Sequence, residues 1–148
     1  MPDEQERLGH DAEARDALGR ALQEDLSYYP AHLQLALIAL GGKDTTTALT
    51  EIDLAVQLHG DDAGLRYIYG YILANAGKAA DAEPHLRKAI ALDPVYAAPH
   101  FALAQILEAS QLAADAAKEY ATFLSLAAMT DLRRNAATAK LTSLKAGG

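Results

Sequence analysis

Residues 67–71 read YIYGY. Taken alone, three tyrosines alternating with an isoleucine and a glycine are a β-strand written at period two. A strand would bury one face and display the tyrosines on the other. The surrounding chain argues against it. Thirty-three alanines and 10 glycines make up 43 of the 148 residues, while Val, Thr and Phe are few. Alanine is the strongest helix former, and β-branched and aromatic residues are what sheets need. Half of the residues are hydrophobic, and 148 residues are enough for a real core.

The register of YIYGY comes from an internal repeat. ALQEDLSYYPAHLQLAL (21–37) and AIALDPVYAAPHFALAQ (89–105) align at an offset of 68, twice 34. Ala21 then matches Ala89, Asp25 matches Asp93, Tyr28 matches Tyr96 and His32 matches His100. Cut at 34 residues, the chain gives three units, 29–62, 63–96 and 97–130. The eighth position of each is small (Ala36, Gly70, Ala104), and so is the twentieth (Ala48, Ala82, Ala116). Large apolar columns accompany them: Leu35, Tyr69, Leu103; Ile52, Leu86, Tyr120; Val56, Ile90, Leu124. A fixed period of this length is the mark of a stacked repeat architecture.

The middle unit, YGYILANAGKAADAEPHLRKAIALDP (69–94), resembles a tetratricopeptide repeat, a 34-residue helix–turn–helix. Gly70, Ala82, Leu86, Ala89 and Pro94 stand where that motif places its small, bulky and proline residues. The first unit departs at Gly60, which replaces the proline, and the third at Phe123 and Ala128. A position often aromatic in the family is His32, Arg66 and His100 here. The resemblance spans about 100 residues and implies an all-α superhelix of three repeats. It implies a scaffold and names no ligand.

Local chemistry fits that reading. Small residues at positions 8 and 20 let the two helices of a unit approach closely. Gly77, and Gly41–Gly42 in the first unit, are expected to end the first helix. Asp44 and Thr45 suit the cap of the next. Asp93–Pro94 stops the second helix of the middle unit, and Pro84 is placed in its first turn. Ala14, Leu18 and Ala21 fall 34 residues before Ala48, Ile52 and Ala55. Residues 1–28 are therefore expected to form a partial repeat, with a turn at Gly9 leading into a helix over 11–25. Residues 131–148 are expected to form a capping helix. Leu132, Ala136, Ala137, Leu141 and Leu144 would face inward on it, with the basic residues outward.

In this register YIYGY lies on a helix, Gly70 is the close contact, and Tyr69 points between helices. Tyr67 and Tyr71, four apart, share a face. The resemblance implies that this face is the concave side of the array. Its wall would be Leu33, Leu37 and Leu40 from the first unit, Tyr67, Tyr71 and Asn75 from the second, and Phe101, Gln105 and Glu108 from the third. An apolar, aromatic wall fits a protein or peptide partner, such as an amphipathic helix or an extended apolar segment. The alternatives are a structural self-assembling subunit, a homo-oligomer with a second copy in the groove, and a chaperone-like holder of secreted clients. The groove could also hold the chain's own N-terminal segment, or its side chains could pack laterally and bind nothing.

Composition excludes other classes. Net charge is −7; residues 1–62 carry 13 acids against 4 bases and residues 63–148 carry 7 acids against 9 bases. An acidic protein is repelled by phosphates, so nucleic acid is not an expected partner. This charge and the period of 34 also separate the chain from pentatricopeptide repeats. Without cysteine there is no disulfide framework and no thiolate metal site. The charged N-terminus has no signal-peptide core, and LQLALIAL is too short to span a bilayer, which fits a cytoplasmic protein without membrane insertion. GGKDTTT (41–47) has Asp44 where a phosphate loop needs Ser or Thr. The five histidines have no metal-ligand spacing, and no Ser/His/Asp group falls in one pocket. No cofactor and no enzymatic activity are expected. The Lys and Asn set with which some tetratricopeptide domains clamp a carboxylate is replaced by Leu33 and Leu37.

Overall fold

In a computed structural model, which describes Met1 and residues 3–147, the described residues are all-α. Pro2 and Gly148, at the ends of the expected terminal segments, lie outside the described residues. The chain divides into two compact units, Met1–Asp61 and Asp62–Gly148.

The first unit holds α1 (Glu4–Glu24), α2 (Tyr29–Gly41) and α3 (Thr45–Leu58). Helix α1 opens on a capping box. The Asp3 carboxylate accepts from Glu6 N at 2.8 Å, and Asp3 N donates to the Glu6 carboxylate at 3.3 Å. The expected turn at Gly9 is not formed, and α1 runs through it as one helix of 21 residues. A helical glycine costs only about 1 kcal/mol relative to alanine, which an upstream cap offsets. Helix α3 is capped by Asp44, whose carboxylate accepts from Thr47 N at 3.1 Å and from the Thr47 hydroxyl at 2.6 Å. Thr45 is the first helical residue rather than the cap. Ala36, Ala48, Ile52 and Ala55 are wholly buried where α2 meets α3. His32, itself buried, meets the Glu51 carboxylate at 2.7 Å across the pair. Tyr29 stacks flat on His59, centroids 4.4 Å apart.

The second unit holds α4 (Ala63–Asn75), α5 (Ala79–Leu92), α6 (Ala97–Ala109), α7 (Ala113–Leu126) and α8 (Arg133–Ala146). YIYGY is in α4, and no strand occurs among the described residues. Helix α4 packs on α5, α6 on α7, and α8 on α7. Asp62 caps α4 by accepting from Leu65 N at 2.8 Å. Gly70 is buried against α5: an added Cβ would lie 2.8 Å from both Leu86 Cγ and Cδ2 and 3.2 Å from the Ala82 carbonyl oxygen. Even a methyl group is too large there. Tyr69 packs on the His85 ring of α5 at 4.1 Å. Pro84 is the sixth residue of α5, not a first-turn residue, because the helix begins upstream at Ala79. It forgoes the bond its N–H would have made to the Ala80 carbonyl.

The period of 34 is carried by the backbone. Helices α2, α4 and α6 begin at 29, 63 and 97, and α3, α5 and α7 at 45, 79 and 113. The turn after each first helix repeats too. Asp44 N, Lys78 N and Leu112 N reach back to the carbonyls of Ala39, Leu73 and Leu107, each at 2.9 Å. The residue before each donor is left-handed: Lys43 (φ 62°), Gly77 (φ 76°) and Gln111 (φ 62°). In the first unit the left-handed residue is thus Lys43, and Gly41–Gly42 keep negative or helical backbone angles.

Candidate functional site

The face that carries the tyrosines of α4 is built from three helices of the second unit. Tyr67, Tyr71 and Asn75 follow at intervals of four along α4, so their side chains rise in one column. Phe101 and Gln105 form the matching column on α6. Arg133 enters from the first turn of α8. With Ala102 these residues line a pocket of about 420 Å³. Tyr67 and Tyr71 lie 6.1 Å apart between centroids, and Tyr96 meets Tyr67 edge-on at 5.4 Å. Tyr67 is half-buried, whereas Tyr71 keeps 43% of its surface exposed. Burial raises the Tyr67 hydroxyl above its usual pKa, against the pull of the nearby Arg133 guanidinium.

Phe101 backs this wall onto the core, 5.1 Å from Phe123 and 5.8 Å from Tyr120. The Arg133 guanidinium sits 5.9 Å from the Phe101 centroid and 5.3 Å from that of Phe123. It is held there by two bonds to Asp131, Nε to Oδ1 at 3.0 Å and Nη2 to Oδ2 at 2.7 Å. Those bonds, with the Arg133 backbone N–H, lower the Asp131 pKa to about 2. Glu108 is equally committed. It accepts from Lys140 Nζ at 2.7 Å and from the Tyr120 hydroxyl at 2.8 Å, and Lys140 first, then Tyr120, hold its pKa down. Tyr120 is raised well above the tyrosine range, by burial first and the Glu108 carboxylate second. Arg134 donates to the carbonyls of Leu124 and Ala127 at 2.7 and 2.9 Å.

Of the nine wall residues expected from the sequence, Tyr67, Tyr71, Asn75, Phe101 and Gln105 line the one pocket. Glu108 lies on an adjoining pocket with Gln105, Tyr120 and Lys140. Leu33, Leu37 and Leu40 belong to the first unit, spaced along α2. Leu33 and Leu40 are half-buried and Leu37 is 38% exposed. The orientation of α8 differs from expectation. Its basic residues do not all point outward: Arg133, Arg134 and Lys140 are the groups that fasten the helix. Leu132 lies before the helix, 94% exposed, and Ala136 is exposed as well. Only Ala137 of the expected inward face is fully buried. Sequence reasoning missed Arg133 and Lys140 because their partners are set by the packing of α8. The one local hint was Asp131, two residues before Arg133.

Among the described residues no group of three or more His, Asp or Glu side chains could hold a metal. No helix among them is long and apolar enough to cross a membrane. Helices of 13 and 14 residues, paired and recurring every 34, define a helical-repeat protein. No protein-family profile and no curated protein matches the chain. Solved structures do. It is similar to the crystal structure of MamA protein, at 22% identity and a TM-score of 0.82, over 94% of this chain and 74% of that one. It is similar to YrrB, described as a TPR protein with an unusual peptide-binding site, at 17% identity and a TM-score of 0.80, over 95% and 70%. The TPR2B domain of yeast Sti1, in its pHsp70 complex, matches at 14% identity and a TM-score of 0.73, over 81% and 98%. The chain has the tetratricopeptide-repeat fold.

Proposed function

We propose that this protein is a non-enzymatic interaction module that holds an apolar peptide segment against the wall carried by α4, α6 and α8. The observation that carries the reading is the aromatic pocket of Tyr67, Tyr71 and Phe101, with Tyr71 43% exposed although it stands among other rings. Exposed tyrosine beside aromatic neighbours is costly to leave in water and effective at an interface, because it offers large area with few rotors to freeze. YrrB, described as having a peptide-binding site, and the Sti1 domain in its pHsp70 complex support a peptide ligand by likeness of fold. In this reading residues 29–62, 63–96 and 97–130 are the repeat units, 1–28 a partial repeat, and 131–148 a cap that also contributes Arg133.

The test is a selection of random displayed peptides on the folded protein, repeated on Tyr67→Ala/Tyr71→Ala. Peptides chosen by the wild type should bind the double variant at least about tenfold more weakly, since central aromatics carry much of an interface's energy. Selected peptides that bind both proteins equally would place the site elsewhere. A second copy as occupant would appear as concentration-dependent association in sedimentation, abolished by the same two substitutions.

A further inference from the structure

We infer that this groove reads the main chain of an extended, uncharged peptide segment through the side-chain amides of Asn75 and Gln105, with one aromatic side chain seated in the Tyr67–Tyr71–Phe101 pocket. This rests on the peptide-binding function proposed above and specifies its ligand. Asn75 and Gln105 occupy the border between two adjoining cavities. Both line the aromatic pocket, and both line a second one of about 280 Å³ whose other walls include Ala74, Ala79, Ile106 and Ala109. Both side chains are exposed. Neither makes a hydrogen bond or ion pair to any described residue.

The other polar groups around the groove are occupied. Arg133 is matched by Asp131, and Glu108 by Lys140 and the Tyr120 hydroxyl. The charges at the groove therefore cancel in pairs. A charged ligand side chain would find no unmatched partner there and would lose hydration on entering. What remains available is two primary amides, each with one acceptor oxygen and two donor hydrogens. That is the complement of a peptide unit, which offers one N–H and one C=O. A helical segment has already satisfied those groups internally, and only an extended one presents them. The alanines of the second cavity keep its floor low enough for a main chain to lie near it. The first cavity, walled by rings, suits a flat aromatic side chain.

The probe is a set of random displayed peptides selected on the intact protein, with the most enriched sequence then synthesised. Its affinity is measured for wild type, Asn75→Ala, Gln105→Ala and Tyr67→Ala/Tyr71→Ala, each first checked for an unchanged helical circular dichroism spectrum. A second synthesis replaces residues flanking the anchor with α-aminoisobutyrate, which favours helix. Each amide variant should weaken binding about threefold to tenfold, the span of one or two neutral hydrogen bonds. The helix-promoting peptide should bind more weakly than its parent. Full affinity in both amide variants, or tighter binding by the helix-promoting peptide, overturns the extended mode while leaving the peptide-binding function standing. No enriched peptide at all, or equal binding to the tyrosine double variant, overturns both.

Discussion

Two helix pairs of the second unit, α4–α5 and α6–α7, share one backbone and are closed in different ways. In α4–α5 the contact is steric: Leu86 lies so near Gly70 that a Cβ there would be 2.8 Å away. In α6–α7 the position of Leu86 is taken by Tyr120, and that of Gly70 by Ala104, wholly buried. The flat ring leaves room for a methyl group, and its hydroxyl bonds to Glu108, which Lys140 of α8 also holds. A second polar link differs as well. His100 meets the Glu119 carboxylate at 2.6 Å, while the corresponding pair in α4–α5 is Arg66 with His85 at 3.2 Å. The repeat fixes where helices touch, and the side chains decide whether shape or polar bonding closes the contact.

The largest effect should come from forcing the steric pair open. Gly70→Leu must displace Leu86 or part the helices, and should cost about 3 kcal/mol or more by overpacking. Gly70→Ala should still destabilise. Thermal unfolding checks both, and an unchanged melting temperature would mean that α4 and α5 are not in this register. Next is the polar pair. Tyr120→Phe keeps the ring but removes its bond to Glu108, and should cost about 0.5–1.5 kcal/mol. Ala104→Gly would not substitute for that loss, because the two contacts are independent in kind.

Smaller effects with opposite signs should appear at the turns. Gly77 and Gln111 hold the same left-handed backbone, at φ 76° and 62°. Gly77→Ala should destabilise by roughly 1 kcal/mol, and Gln111→Gly should be neutral or stabilising by a few tenths, since only glycine adopts this region freely. Urea titrations resolve the two. The smallest expected effect is one of acid. Asp131 titrates at about 2 in the folded protein against 3.8 ordinarily. Its contribution is therefore complete above the ordinary value and is lost as pH falls from about 4 through about 2. Amide shifts in α8 should follow that loss in the wild type and not in Asp131→Asn, which cannot titrate.

The helical reading of YIYGY was legible because the 34-residue columns are set by burial, and burial is written in residue size. Gly70 against Leu86 and Ala82 is such a case. What depended on competing local energies was less legible. Gly9 looked like a break, but the Asp3–Glu6 cap starts α1 ahead of it. Pro84 looked like a helix start, but α5 already begins at Ala79. The role of α8 was hidden for a third reason. Arg133 and Lys140 are surface residues by composition, and only their distance from Phe101, Phe123 and Glu108 shows that they wall and fasten the groove. In the candidate site, the tyrosine and phenylalanine columns could be read from spacing. The freedom of Asn75 and Gln105 could not, because it depends on every neighbour that fails to reach them.

The most direct test is the affinity of a selected peptide for Tyr71→Ala. Tyr71 is 43% exposed and outside the buried contact between α4 and α5, so its loss should leave the melting temperature nearly unchanged. Peptide affinity should nonetheless fall by about tenfold or more. A variant that melts lower yet binds its peptide as tightly as wild type would make Tyr71 a packing residue and remove the wall of α4, α6 and α8 as the binding site.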